Sequence, residues 1–162
     1  MKRSPDTTAR VASVLSISPV EEDHFVLRDM LNLLDGSLDP HRTFLMKSCA
    51  NLSTALSVLR DRQFEVVVCE RDLTPGSWKD VLDQVTILSD PPPLIVTSRL
   101  ADERLWAEAL NLGAYDVLAK PFDRTEAMRV LSAAWRAWGR PARLPARKER
   151  YTYRVMAAGG AA

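Results

Sequence analysis

The residues best suited to chemistry in this chain lie where apolar runs break off. The stretch FEVVVCERDLTPG, Phe64 to Gly76, passes from an apolar run straight into an acidic, turn-rich loop. Glu70 is the first polar residue past that run, with Asp72 two residues on. A charge cluster at the carboxyl end of a buried strand is where open α/β folds place their sites. Three further apolar runs end in the same way, on Ser18, Thr97 and Lys120. A carboxylate and an ammonium brought together at one sheet edge would form an ion pair. The blander reading of Glu70 and Lys120 is a structural ion pair at a sheet edge. Asp72 reads as a loop residue, because Asp is common in turns.

Other chemistries find little support. Cys49 and Cys69 each sit in or at the end of an apolar run and read as small buried hydrophobes, with no CxxC spacing. His24 and His41 lie far apart in sequence and read as surface residues without a ligand set. No Gly-rich loop follows the first strand, where the sequence is SISPVEED, so a phosphate cradle there lacks its usual chemistry. No Ser/His/Asp or Cys/His set is evident. The chain is therefore not expected to be an enzyme.

The elements that must position these residues follow from periodicity. Strands are predicted at Val11–Ile17, Arg42–Cys49, Phe64–Cys69, Leu94–Thr97 and Tyr115–Ala119. Val66, Val67, Val68 and Cys69 form a continuous apolar run, which suits a strand buried on both faces of a parallel sheet. Helices are predicted between and after the strands. One opens at Glu21, Glu22 and Asp23, buries Leu27, Met30, Leu31 and Leu34, and stops near Gly36. A second is capped by Asn51 and a third begins near Trp78. The fourth buries Leu105, Ala109 and Leu112 before Gly113. The fifth starts at Asp123, with Glu126 in capping-box position, and buries Val130, Ala134 and Trp138. Strict alternation of five strands and five helices predicts a doubly wound, flavodoxin-like (βα)5 α/β fold with strand order 2-1-3-4-5. The carboxyl ends of strands 1, 3, 4 and 5 then converge, and with them Ser18, Glu70, Thr97 and Lys120.

At 162 residues, with 46% hydrophobic and 27% charged residues, the chain reads as one globular domain. Residues 10–139 are assigned to it, with a disordered N-terminus over 1–9 and a basic extension over 140–162. The net charge is +1, yet Arg140 to Arg154 hold six basic residues and one acidic, so the body is mildly acidic. Stacking aromatics in the extension are few, so nucleic acid is not an expected partner. No apolar run long enough to span a membrane and no signal-peptide pattern occur, and a cytoplasmic location is expected.

From about Arg10 to Trp138 the chain resembles the receiver domain of bacterial two-component response regulators. The resemblance rests on FEVVVCERDLTPG, LIVTS and LNLGAYDVLAKPF, in order and at family-like spacing. It implies an acidic pair after strand 1 that holds Mg²⁺, an Asp ending strand 3 that accepts a phosphoryl group, and a Thr or Ser and a Lys that contact the phosphoryl oxygens. Thr97 and Lys120 match the last two positions. Ser18-Pro19 stands where the acidic pair belongs, and Glu70 where the phosphoacceptor belongs. The resemblance also implies a cis peptide before Pro121. The switch aromatic three positions before the Lys is replaced by Val117, with Tyr115 two residues earlier.

These departures point to a degenerate receiver. Without the acidic pair, Mg²⁺ would depend on Glu70 or a displaced Glu21, so Mg²⁺ binding is expected to be lost. The resulting expectation is a phosphorylation-independent module that binds a partner protein, kinase or downstream effector. The alternative is an active phosphorelay receiver modified by a histidine kinase on Glu70 or Asp72. Receivers commonly pair through helix 4, strand 5 and helix 5, so a homodimer or partner face is expected to use Trp106, Tyr115 and Trp135.

Overall fold

The computed structural model describes residues 10–35 and 42–138. Its elements run β1 (Arg10–Ile17), α1 (Glu21–Leu34), β2 (Arg42–Cys49), α2 (Leu52–Asp61), β3 (Val66–Glu70), α3 (Trp78–Thr86), β4 (Leu94–Ser98), α4 (Glu103–Leu112), β5 (Asp116–Ala119) and α5 (Arg124–Ala137). The strands form one parallel sheet in the order β2-β1-β3-β4-β5, as the alternation predicts. The assignments for residues 1–9, His41 and the extension from residue 140, and the stop at Gly36, lie outside the described residues.

The apolar run of β3 is buried on both faces because each face belongs to a different core. Val67 and Cys69 join Leu59 of α2, Val81 of α3 and Leu105 of α4 in one cluster. Val66 and Val68 join Leu27 and Leu31 of α1 and Val130 and Leu131 of α5 in the other. Successive strand residues point to opposite faces, so a continuous apolar run is what two covering layers require.

Local signals explain most helix ends. Asn51 accepts from Thr54 N at 2.9 Å, Asp102 from Leu105 N at 2.9 Å and Asp123 from Glu126 N at 2.8 Å. Ser77 and Asp80 form a reciprocal capping box on α3. Gly113 closes α4 with φ of 114°, a conformation that only glycine adopts without strain.

Several expectations need correction. β3 is shifted, beginning at Val66 and ending on Glu70, because Glu70 stays in register beside Thr97 and Arg71 N donates to Thr97 O at 2.8 Å. Leu112 is 53% exposed rather than buried, since it is the last residue of α4, where the chain leaves through Gly113. Trp138 is only half-buried, one residue beyond the end of α5. His24 is buried, not on the surface: it falls on the inward face of α1, with Ser16 Oγ 2.8 Å from Nδ1 and Ser18 O 3.1 Å from Nε2. The carbonyl can only accept, so Nε2 carries the proton and, in the neutral ring, Nδ1 accepts from Ser16.

Among the described residues, β2 and β5 are the sheet edges. β2 is eight residues long, with Leu45 55% exposed and Lys47 exposed, whereas β5 has four residues.

Candidate functional site

Parallel pairing brings the carboxyl ends of the strands to one edge, where β1 and β4 flank β3. Ile17 pairs with Cys69, Glu70 with Thr97 and Ser98 with Ala119. This register sets Ser18, Glu70, Thr97 and Lys120 around one point. Lys120 N donates to Ser98 O at 2.9 Å, and the Lys120–Pro121 peptide bond is cis, as is Thr74–Pro75.

Lys120 is the centre of the site. Its side chain is 8% exposed, and its Nζ donates to Glu70 Oε2 and, at 2.7 Å, to Asp23 Oδ2. Burial pushes the ammonium pKa down, but the hydrogen bonds and charges of Asp23 and Glu70 together outweigh it, so the pKa lies above its ordinary value. Asp23 Oδ2 also accepts from Ser18 Oγ at 2.6 Å, and Ser18 Oγ in turn accepts from Val20 N at 3.1 Å. Ser18 therefore orients Asp23 while Lys120 neutralises it. Thr97 Oγ1 lies 3.5 Å from Glu70 Oε2, too far to hold the carboxylate firmly.

Asp23 is the site residue that sequence reasoning missed, having been assigned only to the opening turn of α1. Its signal was present: positions 23, 27, 30 and 34 share one helical face, and Leu27, Met30 and Leu34 form the buried stripe. An acid on that stripe one turn before the core must point at the sheet edge. Glu21, the other acid considered, is exposed. Asp72 is also exposed and pairs with Arg71 at 3.0 Å, away from Lys120.

Ser18→Ala removes the charged hydrogen bond to Asp23 and is expected to cost about 1.5–3 kcal/mol, measured by urea unfolding. An unchanged midpoint would mean that Lys120 alone holds Asp23.

Of the three aromatics assigned to a partner face, Tyr115 and Trp135 are engaged within the fold. Tyr115 is buried with Leu118, Val130 and Leu131, because β5 begins one residue later and draws it into the core. Trp135 is committed within the chain: its Nε1 donates to Glu65 Oε2 at 2.7 Å, Arg42 stacks 4.0 Å above its ring, and Phe44 meets it edge-on at 6.0 Å. That places Trp135 against β2 and the start of β3, away from α4. Trp106 is half-buried and packs against the cluster beneath α4.

The response regulator receiver domain matches the chain over residues 19–132. The chain belongs to that family. Solved receiver structures share its fold. A putative response regulator from Chloroflexus aurantiacus has a TM-score of 0.66 at 16% identity, covering 78% of this chain and 99% of the other. The Francisella response regulator 1452 receiver domain has a TM-score of 0.63 at 16% identity, covering 77% and 97%. The signal receiver domain of an HD domain-containing protein from Pseudomonas fluorescens has a TM-score of 0.63 at 23% identity, covering 78% and 96%. No curated protein matches. Receiver domains act in signal transduction with kinases or effectors, and this chain is a receiver in which Lys120 sits between Glu70 and Asp23. No helix among the described residues is long and apolar enough to cross a membrane.

Proposed function

We propose that this receiver works without phosphorylation, as a non-catalytic module that binds a partner protein, kinase or downstream effector, in the cytoplasm. The observation that carries the reading is the double engagement of Lys120. Its ammonium already holds Glu70 and Asp23, which together present about two negative charges, comparable to the roughly −1.5 to −2 of a phosphoryl group. An arriving phosphoryl group would have to displace an ion pair whose three side chains are at most 13% exposed.

The donors fit Mg²⁺ poorly. The hard cation wants several oxygen ligands in octahedral geometry. Asp23 Oδ2 and Glu70 Oε2 both face the Lys120 ammonium, Ser18 donates its proton to Asp23 rather than offering a free oxygen, and Pro19 is exposed and has no ligand atom in its side chain. No cluster of three acidic, His or Cys ligands is present among the described residues. In this reading the module works without Mg²⁺, because the carboxylates that could hold it face the Lys120 ammonium.

A partner surface or a pair of copies built on α4, β5 and α5 would draw on half-buried Trp106 of α4, whereas Tyr115 is buried and Trp135 is bonded to Glu65. Incubation with acetyl phosphate and Mg²⁺, read by intact mass, tests the reading. The expected result is no added phosphoryl group. A stoichiometric adduct on Glu70 or Asp72 would instead establish an active phosphorelay receiver.

A further inference from the structure

α1 carries an outward stripe that its own fold leaves uncovered. Phe25 is 57% exposed and Leu33 is 48% exposed, and Phe25 is the one aromatic among the large apolar residues that stand out in this way among the described residues. Residues 22, 25, 29 and 33 follow helical spacing, so Glu22, Phe25, Asp29 and Leu33 share a face opposite to Leu27 and Leu31. The acids of this face, with neighbouring Glu21, are exposed and form no ion pair with a described residue. Arg28 leans away, its Nη2 lying 3.4 Å from Ser48 Oγ of β2. The stripe is apolar and acidic at once.

The complement lies in the same chain. Residues 140–154, RPARLPARKERYTYR, interleave six basic side chains with Leu144, Tyr151 and Tyr153 and contain one acid. This segment follows α5, which packs beside α1 in the same core. α1 and α5 both start at the carboxyl edge of the sheet and run to the opposite edge, where Trp135 meets Arg42 and Glu65. The described end of α5 and the end of α1 that carries Leu33 therefore lie at the same edge of the sheet. From Phe25 to Leu33 the helix rises about 12 Å. Fifteen residues reach several times that distance at up to about 3.3–3.6 Å each. Tethering makes the encounter intramolecular, at an effective concentration that can reach the millimolar range.

We infer that the exposed face of α1 is a docking site for the chain's own basic segment, residues 140–154, with its arginines on Glu21, Glu22 and Asp29 and its apolar side chains on Phe25 and Leu33. The contact is built on charge and so weakens with salt.

A nitroxide on Thr152→Cys in the full chain reads the contact, because Cys49 and Cys69 are buried and the new thiol takes the label. At low salt, the amide signals of Phe25, Asp29 and Leu33 in the ¹⁵N-labelled chain are expected to lose most of their intensity. They should recover in high salt and in the Glu22→Lys, Asp29→Lys variant. Absence of broadening on α1, or broadening centred on another surface, overturns the inference. So does broadening that appears when labelled unenriched chain is mixed with unlabelled enriched chain, since the occupant would then be a second copy.

Discussion

Lys120→Met is expected to destabilise this protein by about 3–5 kcal/mol, because it leaves Asp23 and Glu70 facing one another with no cation between them. For a domain of this size the melting temperature should fall by roughly 6–20 °C. The methionine keeps most of the volume, so the loss reads the charge and not a cavity. Neutralising the carboxylates as well, with Asp23→Asn and Glu70→Gln, is expected to recover most of it, since an uncompensated buried charge costs far more than a neutral polar group. A Lys120→Met protein that melts with the wild type would show that the site is wet and the pair merely superficial. The same pair has an alkaline signature. The Lys120 pKa is raised in the folded state, so its contribution is fully present below the unfolded value of 10.5 and is lost as pH rises through the folded value. Wild-type stability should therefore drop above about pH 10.5 more steeply than that of Lys120→Met, as followed by urea melts across that range.

Trp78→Ala is expected to cost about 3–5 kcal/mol, the range for deleting a large aromatic from a well-packed core. Trp78 heads the largest fully buried side chains and packs with Leu73, Val81 and Leu82. Its backbone N donates to Arg71 O at 3.1 Å, closing the loop that follows Glu70. Asp72 and Ser77 bridge across the same loop. The substitution should thus speed amide exchange from Arg71 to Ser77 as well as lower the unfolding midpoint. Unchanged exchange in that loop, together with a lowered midpoint, would confine Trp78 to the core.

The architecture was legible because each strand carried its own signal. The double burial of Val66–Cys69 demanded two layers, and the capping residues Asn51 and Asp123 marked where helices began. The site was legible in part: strand ends located Ser18, Glu70, Thr97 and Lys120, but Asp23 comes from a helix and reaches the site by its rotation about the helix axis. His24 was misjudged for the same reason, since its neighbours in sequence are acids while its neighbours in space are Ser16 and the Ser18 carbonyl. Trp135 was misplaced because helical periodicity reports how far a residue faces inward and is silent on which strand lies beneath it. Only the tertiary arrangement puts Arg42, Phe44 and Glu65 there.

The length of β2 bears on how this protein behaves when concentrated. A sheet edge offers unpaired backbone groups on which a foreign strand can grow, and a long edge with an outward leucine invites such addition. β5 escapes this by brevity. β2 does not, and Leu45 stands on its open length. Lys47 is the charge that interrupts it, two residues along on the same face. Strand addition would bring lysines of like charge close together, so that residue acts as a gatekeeper against fibre-like aggregation, a role that nothing in the signalling site would reveal.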